Sequence, residues 1–381
     1  MKIAMIGHKR IPSREGGIEI VVEELSKRMV RRGHTVHVYN RRGKHVADKS
    51  KSLRKLKRFQ GIRIITIPTI NVKSLDAMLY SFLATIRALF GGYDVIHYHA
   101  EGPCVMILLA HIFGKKTVAT IHGLDWQRAK WGGFATKYLK FGEKMAAKYA
   151  DQVIVLSKNV QQYFYDTYHR KVSYVPNGVN EPEIFPADKI NDNYGLEKDN
   201  YILFLARIVP EKGLHYLLEA YKEIKSDKKL VIAGGSSHSS EYVDQIEELA
   251  AKDERVLMTG FVQGRELEEL FSNCYAYVLP SDVEGMPISL LEALSYGCQC
   301  IVSDIPENIE VVGDLAYQFK KSDVNSLREV LEKALKDGCL YDSETVIHEC
   351  LRRFNWNTVV ARHINLYEND KRTRKERKLE K

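Results

Sequence analysis

Short apolar runs alternate with longer helical patterns along the chain. In the first half these runs, rich in Val, Ile and Tyr, read KIAMIG, TVHVYN, IRIITIP, DVIHYH, TVATIH, QVIVLS and VSYVPNG. Continuous apolar runs separated by crossover segments are typical of parallel strands whose sheet is covered by helices on both faces. The first crossover predicts a helix, because Ile18, Val22, Leu25 and Met29 recur at helical spacing before Gly33.

A polar segment interrupts this alternation after Asn177 and Gly178. It reads EPEIFPADKINDNYGLEKDN and is followed by a fresh strand, YILFLAR, and then by KLVIAGG, RVLMTG, AYVLPS and QCIVSD. The sequence therefore predicts two doubly wound, Rossmann-like α/β domains that face a central cleft. The expected parts are residues 1–180, residues 181–355, and a C-terminal helix with a basic tail, 356–381, that can pack back on the first domain.

Composition supports a soluble, two-domain protein. The 381 residues are enough for two separate cores, and 45% apolar with 28% charged residues is ordinary for globular chains. The six cysteines show no CxxC spacing, which indicates reduced thiols. The N-terminus enters a strand pattern at once and lacks the features of a signal peptide, so we expect a cytoplasmic protein.

The net charge of +8 is unevenly distributed. Basic residues crowd between Arg41 and Arg58 and again in the tail from Lys371, and an amphipathic segment, Leu75–Phe90, follows the first cluster. Two interpretations stay open for that region: peripheral contact with an anionic membrane at its inner face, or a solvated loop followed by a buried core helix. No nucleic-acid partner is expected, because no recognition module or aromatic-interleaved basic stripe is present in the sequence.

The loop after the first strand argues against a dehydrogenase. A dinucleotide site needs GxGxxG there and an acidic residue after the second strand, whereas this loop reads HKRIPSREGGIE and the second strand ends in Tyr39-Asn40-Arg41. The pair Gly16-Gly17 suits a different task at the start of a helix. There it lets backbone amides approach an anionic group, although a flexible turn without a ligand is the alternative.

Charged residues follow two strands of the second half. Ser281-Asp282-Val283-Glu284 comes after AYVLP, and Pro287 suits the first position of the next helix. Glu284 and the amides near Ile288 and Ser289 should then line the carboxyl edge of the sheet, and Glu292 can accept hydrogen bonds from two ribose hydroxyls. The alternative is structural, with Glu284 matching the helix dipole and Glu292 on a solvated face.

Two cations follow the strand YILFLA. Arg207 offers a guanidinium for phosphate oxygens, and Lys212 offers a second positive charge a few residues later. Together they can neutralise a leaving diphosphate in place of a metal ion.

These segments resemble the family-four glycosyltransferases, a large retaining group with the GT-B fold. The segments EGMPISLLEALSYG, ARIVPEKG, PNGV and TGFV occur in the family's order over nearly the whole chain. The N-terminal stretch IGHKRIPSREGGIEIVVEEL is similar to a subgroup that builds bacterial capsule and exopolysaccharide, some members of which transfer rhamnose.

The resemblance implies a role for each motif residue. Arg207 and Lys212 would hold the diphosphate, Glu292 the ribose and Glu284 the donor sugar. Gly16 and Gly17 would close over the phosphates, Val262 would lie by the base, and the amides of Ile288 and Ser289 belong to the same site. His122, which ends the strand TVATIH, would hydrogen-bond in the transition state, or else be a structural histidine. Asp125 is a weaker candidate for an acceptor hydroxyl, and His97, His99 and Glu101 are candidates for the acceptor wall.

The expected function is that of a retaining hexosyl- or rhamnosyltransferase. It would move a sugar from a nucleotide diphosphate donor to a glycan or polyprenyl-linked acceptor in bacterial surface polysaccharide synthesis, with no metal or other cofactor. The pair His97 and His99 can ligate a metal in principle, but no third ligand is near in sequence. A GT-B nucleotide-sugar epimerase or phosphorylase, and a non-catalytic nucleotide-sugar binding protein, remain the alternatives.

Overall fold

The structure is a computed structural model, and it describes residues 1–42, 56–70, 72–127, 132–235 and 240–368. The chain divides into two compact units. The first is Met1–Asn177 together with the segment that begins at Trp356, and the second is Gly178–Asn355. Most of the basic stretch between Arg41 and Arg58, and the basic tail, lie outside the described residues.

The first unit contains an eight-stranded sheet. Its strands are β1 (Lys2–Ile6), β2 (Thr35–Arg42), β3 (Arg58–Phe59), β4 (Ile62–Pro68), β5 (Val95–His99), β6 (Thr117–Ile121), β7 (Gln152–Val155) and β8 (Ser173–Tyr174). They lie in the order β3-β4-β2-β1-β5-β6-β7-β8, and every neighbouring pair is parallel except β3 with β4. The sequence did not predict β3, because two residues carry no periodic signal.

Among the described residues, six α-helices of the first unit precede the second unit in the chain. They are α1 (Gly17–Arg31), α2 (Lys73–Leu89), α3 (Glu101–Cys104), α4 (Ile107–Ile112), α5 (Gly133–Tyr149) and α6 (Lys158–Tyr168). The helix predicted after the first strand is α1, and its Val22, Leu25 and Met29 are fully buried, as their spacing indicates.

The second unit contains a six-stranded, wholly parallel sheet. Its strands are β9 (Tyr201–Leu205), β10 (Lys229–Ala233), β11 (Val256–Gly260), β12 (Ala276–Leu279), β13 (Cys300–Ser303) and β14 (Ala316–Phe319), and they lie in the order β11-β10-β9-β12-β13-β14. The helices are α7 (Lys189–Tyr194), α8 (Leu214–Lys222), α9 (Ser240–Ala250), α10 (Arg265–Asn273), α11 (Ile288–Ser295), α12 (Pro306–Val312), α13 (Val324–Asp337) and α14 (Ser343–Arg353).

The last described helix, α15 (Trp356–Glu368), belongs to the first unit and packs on α1. The Arg28 guanidinium lies 5.6 Å from the centroid of a Trp356 ring, and Arg32 donates a hydrogen bond of 2.8 Å to the Asn357 carbonyl. Farther along α15, the Tyr367 hydroxyl lies 2.7 Å from Nδ1 of His97 in β5. The helix therefore contacts both the first crossover and the centre of the sheet.

Both sheets follow the same winding rule. In each, the chain starts at a central strand, β1 or β9, moves outward on one side, and then returns to the other side of that strand at β5 or β12. Such a reversal leaves a crevice at the carboxyl ends of the two central strands, where α/β proteins bind ligands. The prediction of two doubly wound α/β domains is confirmed. Within the described ranges, no helix is both long and apolar enough to cross a membrane.

Candidate functional site

The two loops at the reversal point of the second sheet touch each other. Arg207 follows β9, and Lys212 ends a short 3-10 helix, Pro210–Lys212. The next residue, Gly213, has a positive φ of 67°, and a Cβ at that position would lie only 2.0 Å from the Pro280 carbonyl oxygen. Glycine is therefore required where the loop after β9 passes the end of β12.

An ion pair joins these two loops. The Lys212 ammonium donates a hydrogen bond to Oε1 of Glu284, and the side chains are 13% and 7% exposed. The Ser281 hydroxyl donates to the same oxygen at 2.7 Å. Two residues that the sequence analysis placed at separate strand ends are thus in direct contact, and the carboxylate is held from two sides.

Asp282 fastens the loop that follows β12, a role that the sequence analysis did not assign. Its two oxygens accept hydrogen bonds from the Tyr216 hydroxyl at 3.2 Å and the Ser322 hydroxyl at 2.7 Å, and its backbone N–H donates to the Glu211 carbonyl at 2.9 Å. An acidic residue in a loop carries no sequence signal that distinguishes such an anchor from a ligand.

The helix α11 carries the second glutamate of the motif. It begins at Ile288, so Pro287 occupies the N-cap and not the first helical position that the sequence predicted; the φ of −72° at Pro287 suits either place. Ile288 and Glu292 are four residues apart and share one side of the helix, and both are partly exposed. The Ser289 hydroxyl lies 2.8 Å from the buried Tyr277 hydroxyl, which anchors the first turn.

An open pocket of about 440 Å³ lies beside this edge, at the carboxyl ends of β9, β10 and β11. Val262, which the resemblance placed by the base, is buried two residues beyond the pocket wall at Gly260. The pocket is lined by Ile208, Gly234, Gly235, Val243, Glu247, Met258 and Gly260.

The reversal point of the first sheet is equally tight. Gly7, directly after β1, has a φ of 127°, and a Cβ there would lie 2.1 Å from the His99 carbonyl oxygen at the end of β5. Its backbone N–H donates to the Tyr80 hydroxyl at 3.1 Å. The ends of the two central strands are therefore in van der Waals contact at this glycine.

The loop between Gly7 and α1 leads to the predicted glycine pair. Gly16 is the N-cap of α1 and Gly17 its first residue, and both are accessible to solvent. The Glu19 carboxylate lies in the first turn, where it accepts a hydrogen bond of 2.8 Å from the Lys9 backbone N–H. An acidic side chain of the protein is thus already present at this helix start, which the sequence analysis did not consider.

The predicted histidines come together at the first reversal point. Nδ1 of His99 lies 3.1 Å from Nε2 of His122, so one ring donates its N–H to the other, and the ring centroids of His97 and His99 are 4.1 Å apart. Both nitrogens of His97 are in hydrogen-bond contact at 2.7 Å, one with Tyr367 and the other with Thr120. Burial holds the pKa of His97 and of His99 well below the usual value, so both rings are neutral at neutral pH.

A buried carboxylate fixes the segment that follows His122. Glu143 of α5 is fully buried and accepts hydrogen bonds from Nε1 of Trp126 at 3.0 Å and from the hydroxyls of Tyr163 and Tyr168 at 2.8 and 2.5 Å. Asp125, the weaker acceptor candidate, is the neighbour of Trp126 in a short 3-10 helix, Asp125–Gln127. Glu101 is buried at the start of α3.

The predicted residues therefore form two sets, one in each unit. The second unit brings Lys212 into contact with Glu284, in the loops that lead from Arg207 and toward Glu292 of α11, whereas the first brings His122 together with His99 and His97. Across the part of the chain that the structure describes, no group of three or more His, Cys, Asp or Glu side chains is arranged to hold a metal ion.

Family models match both units. A model described as Glycosyltransferase Family 4 matches residues 15–182, and one described as Glycosyl transferases group 1 matches residues 187–347. Together with the two doubly wound sheets, these matches identify the chain as a group 1 glycosyltransferase with the GT-B fold.

Known proteins resemble the chain over most of its length. An uncharacterised glycosyltransferase of Methanocaldococcus jannaschii is 26% identical over an alignment of 393 positions, which covers 96% of this chain and 98% of the relative. The UDP-Gal:α-D-GlcNAc-diphosphoundecaprenol α-1,3-galactosyltransferase of Escherichia coli is 27% identical over 306 residues, 73% of this chain and 76% of the relative. Among solved structures, sucrose-phosphate synthase of Thermosynechococcus elongatus has a TM-score of 0.82 at 21% identity, covering 96% and 98% of the two chains.

Proposed function

We propose that this glycosyltransferase moves a hexosyl or rhamnosyl group, with retention, from a nucleotide diphosphate donor to a glycan or polyprenyl-linked acceptor of a bacterial surface polysaccharide. The observation that carries the proposal is the contact of Lys212 with Glu284 at the reversal point of the second sheet. The E. coli relative supports the substrate classes, since its name specifies a UDP-sugar donor and a diphosphoundecaprenol-linked acceptor.

The proposed donor site lies at the cationic edge of the second unit. An ammonium has three N–H donors, so Lys212 can keep its bond to Glu284 and still donate to a phosphate oxygen. Arg207 supplies a planar pair of donors for the same diphosphate. Glu292 accepts from the ribose hydroxyls, the amides of Ile288 and Ser289 face the phosphates, and Val262 helps to bound the base.

Glu284 is proposed to hold hydroxyls of the donor sugar. Lys212 and Ser281 both donate hydrogen bonds to its Oε1, and these bonds orient the whole carboxylate, including its second oxygen. A carboxylate that is positioned before the ligand arrives loses little entropy on binding, and this favours a precise placement of the sugar.

The proposed reaction uses no enzyme nucleophile. The bond from the anomeric carbon to the diphosphate oxygen breaks, the acceptor oxygen bonds to the same face of that carbon, and the acceptor proton passes to the departing phosphate oxygen. Negative charge therefore grows on the diphosphate, where Arg207 and Lys212 stabilise it. Gly16 and Gly17 are proposed to approach the phosphates from the first unit.

His122 is proposed to hydrogen-bond with the reacting sugar. Its Nε2 forms a hydrogen bond with His99. This bond determines whether the other ring nitrogen of His122 is a donor or an acceptor. Because His99 is neutral, this contact adds no positive charge next to the developing sugar cation.

The test is the release of nucleoside diphosphate by the purified protein. A panel of nucleotide sugars is first screened by thermal shift, because a ligand that binds only the folded state raises its stability. The best donor is then incubated with and without a polyprenyl-diphosphate-linked glycan. We expect release only with the acceptor, and we expect the anomeric configuration of the donor to be kept in the product.

The other candidate functions give different results in the same assay. An epimerase would convert the nucleotide sugar without an acceptor, a phosphorylase would require inorganic phosphate, and a binding protein would show a thermal shift without turnover. Glu292→Ala removes the proposed ribose contact and should lose most of the transfer, whereas Glu223→Ala is the matched control, since Glu223 is a carboxylate of the same unit whose side chain is 58% exposed.

A further inference from the structure

The helix α5 presents a basic and aromatic stripe to solvent. Phe134 and Phe141 are 71% and 46% exposed, and they lie seven residues apart, on one side of the helix. Exposed lysines at helical spacing lie beside them. We call this stripe the α5 outer face; it consists of Phe134, Lys137, Lys140, Phe141, Lys144 and Lys148.

The opposite side of α5 is part of the core. Leu139, Met145 and Ala146 are buried, and Ala146 packs in the main hydrophobic cluster of the first unit. Glu143 on that side is fully buried with its three donors. The rotation of the helix about its axis is therefore fixed, and the two phenylalanines cannot turn inward.

The charge of the outer face is of one sign. Glu143 is the only acidic residue within Gly133–Tyr149, and it is buried, so four lysines have no acidic neighbour on the exposed side of their own helix. On the helices packed against α5, Glu101 is buried, Asp125 of the 3-10 helix Asp125–Gln127 is partly exposed and Asp166 of α6 is exposed. Hydrogen bonding from Tyr163 and Tyr168 to Glu143 keeps that carboxylate away from the lysines.

Apolar surface continues beyond the end of the stripe. The ring centroids of His111 in α4 and Tyr149 in α5 are 5.3 Å apart, which brings the carboxyl ends of the two helices together. Directly after His111, Ile112 and Phe113 are 52% and 46% exposed. Exposed aromatic and aliphatic side chains therefore lie near both ends of the lysine row.

We propose that the α5 outer face docks on an anionic lipid bilayer. Phenylalanines enter the boundary between head groups and acyl chains, and the surrounding lysines contact lipid phosphates, which is the arrangement that interfacial helices use. The choice of a bilayer as partner rests on the proposed function, because a polyprenyl-linked acceptor is held in one.

The amphipathic segment Leu75–Phe90, for which membrane contact was one of two open interpretations, is a poorer fit. Leu75–Phe90 forms most of α2, in which Tyr80, Ala84 and Ala88 are core residues. Leu75, Phe82 and Phe90 of this segment are exposed, but among the described side chains of α2 Arg87 is the only exposed cation, against four lysines on α5. The basic stretch before it lies outside the described residues, apart from its two ends.

Co-sedimentation of the full chain with vesicles tests the proposal. Vesicles of phosphatidylcholine alone are compared with vesicles that also contain phosphatidylglycerol, at low and high salt. We expect binding only to the anionic vesicles, weakened by salt. Replacing Lys137, Lys140, Lys144 and Lys148 by Gln should weaken it by at least about tenfold, as should Phe134→Ser with Phe141→Ser.

Two control variants sharpen the result. Replacing the exposed lysines 222, 225, 333 and 336 of the second unit by Gln removes the same charge elsewhere and should leave vesicle binding unchanged. Replacing Lys51, Arg54, Lys55, Lys57 and Arg58 by Gln tests the rival basic stretch. If that variant loses vesicle binding while the α5 variants bind as the wild-type chain does, the proposal is overturned.

Other outcomes also decide against it. Failure of the wild-type chain to bind anionic vesicles, or tighter salt-sensitive binding to a DNA duplex than to vesicles, would assign the stripe to something other than a bilayer. Transfer to a short-chain, water-soluble acceptor should be unchanged in the α5 variants. That assay separates the two ideas, because activity without vesicle binding rejects the docking face and keeps the proposed function.

Discussion

The two reversal points of the molecule share a topology and differ in their chemistry. Each lies where a doubly wound sheet changes direction, and in each a glycine with positive φ lets neighbouring loops touch. In the second unit the polar groups are charged, with Lys212 paired to Glu284. In the first unit they are neutral, with His97, His99 and Tyr367 buried around the strand ends.

This difference shows that the winding of the sheet positions a site without determining what the site binds. Cations at a strand end attract an anionic group, whereas neutral imidazoles and hydroxyls suit a neutral partner such as a sugar. These side chains are the reason for proposing that the second unit binds the diphosphate and the first unit binds the reacting hydroxyls. Experiments that perturb charge should therefore affect the two units differently.

Acid should weaken the first unit much more than the second. Burial lowers the pKa of His8 and of His363 to about 4, from the value of about 6.5 that an unfolded histidine has. Between these values the unfolded chain binds protons that the folded unit does not, so the free energy of unfolding falls as pH drops from about 6.5 to 4. Each such histidine contributes up to about 3 kcal/mol to this loss.

Tryptophan fluorescence can follow the first unit separately. The chain has three tryptophans, at positions 126, 131 and 356, and none of them falls within Gly178–Asn355, the second unit. Urea titrations are carried out at pH 7 and at pH 5. Between the two pH values, the midpoint of the transition followed by fluorescence should shift more than the midpoint of the second unit's transition, which is followed by far-UV circular dichroism. Equal shifts of both signals would show that the buried histidines do not set the acid sensitivity.

Removal of the charged donor contacts should have the next largest effect. Arg207→Ala and Glu292→Ala each take away a hydrogen bond to a charged or hydroxylated group of the donor, so kcat/KM should fall by roughly 10- to 150-fold, or about 1.5–3 kcal/mol. Circular dichroism should show an intact fold. Near-normal transfer by both variants would reject the assignment of the donor site to this edge.

The ion pair of the second unit should show a smaller, measurable coupling. In a double-mutant cycle of Lys212→Met and Glu284→Gln, we expect an interaction free energy of about 1–2 kcal/mol in unfolding, because the pair is mostly buried. The pair of Lys222 and Glu223, with side chains 74% and 58% exposed at 3.8 Å, is the matched control and should couple by less than about 0.5 kcal/mol. Equal interaction free energies in both cycles would mean that solvent screens the pair of Lys212 and Glu284 as strongly as it screens the exposed control pair.

The sequence predicted most strands of both units but few of the side-chain contacts within them. Apolar runs identified β1, β2 and β9 because buried parallel strands leave a continuous signal, but the short strands β3 and β14 were missed. The contact of His97 with Tyr367 joins residues 270 positions apart, and nothing local in the sequence indicates it.

Side-chain pairing was the part least accessible to sequence. Lys212 and Glu284 were both expected at strand ends, yet their contact depends on how closely two loops pass at Gly213. Glu143 was not singled out at all, because a glutamate in a helix is usually solvated. Its burial follows from an indole donor in the 3-10 helix Asp125–Gln127 and two hydroxyl donors on α6, which the fold brings to it.

The smallest expected effect is that of a chelator on transfer activity. If Arg207 and Lys212 supply the positive charge for the leaving diphosphate, the rate in EDTA should equal the rate in buffer, and added Mg²⁺ or Mn²⁺ should not raise it. The histidines of the first unit are not expected to change this result, since both nitrogens of His97 already contact hydroxyl groups. Arg207→Ala sharpens the comparison, because a variant that lacks one cation should be the first to respond to added Mg²⁺. Activity of the wild-type protein that stops in EDTA and returns with Mg²⁺ or Mn²⁺ would show that the charged edge of the second unit works together with a metal ion.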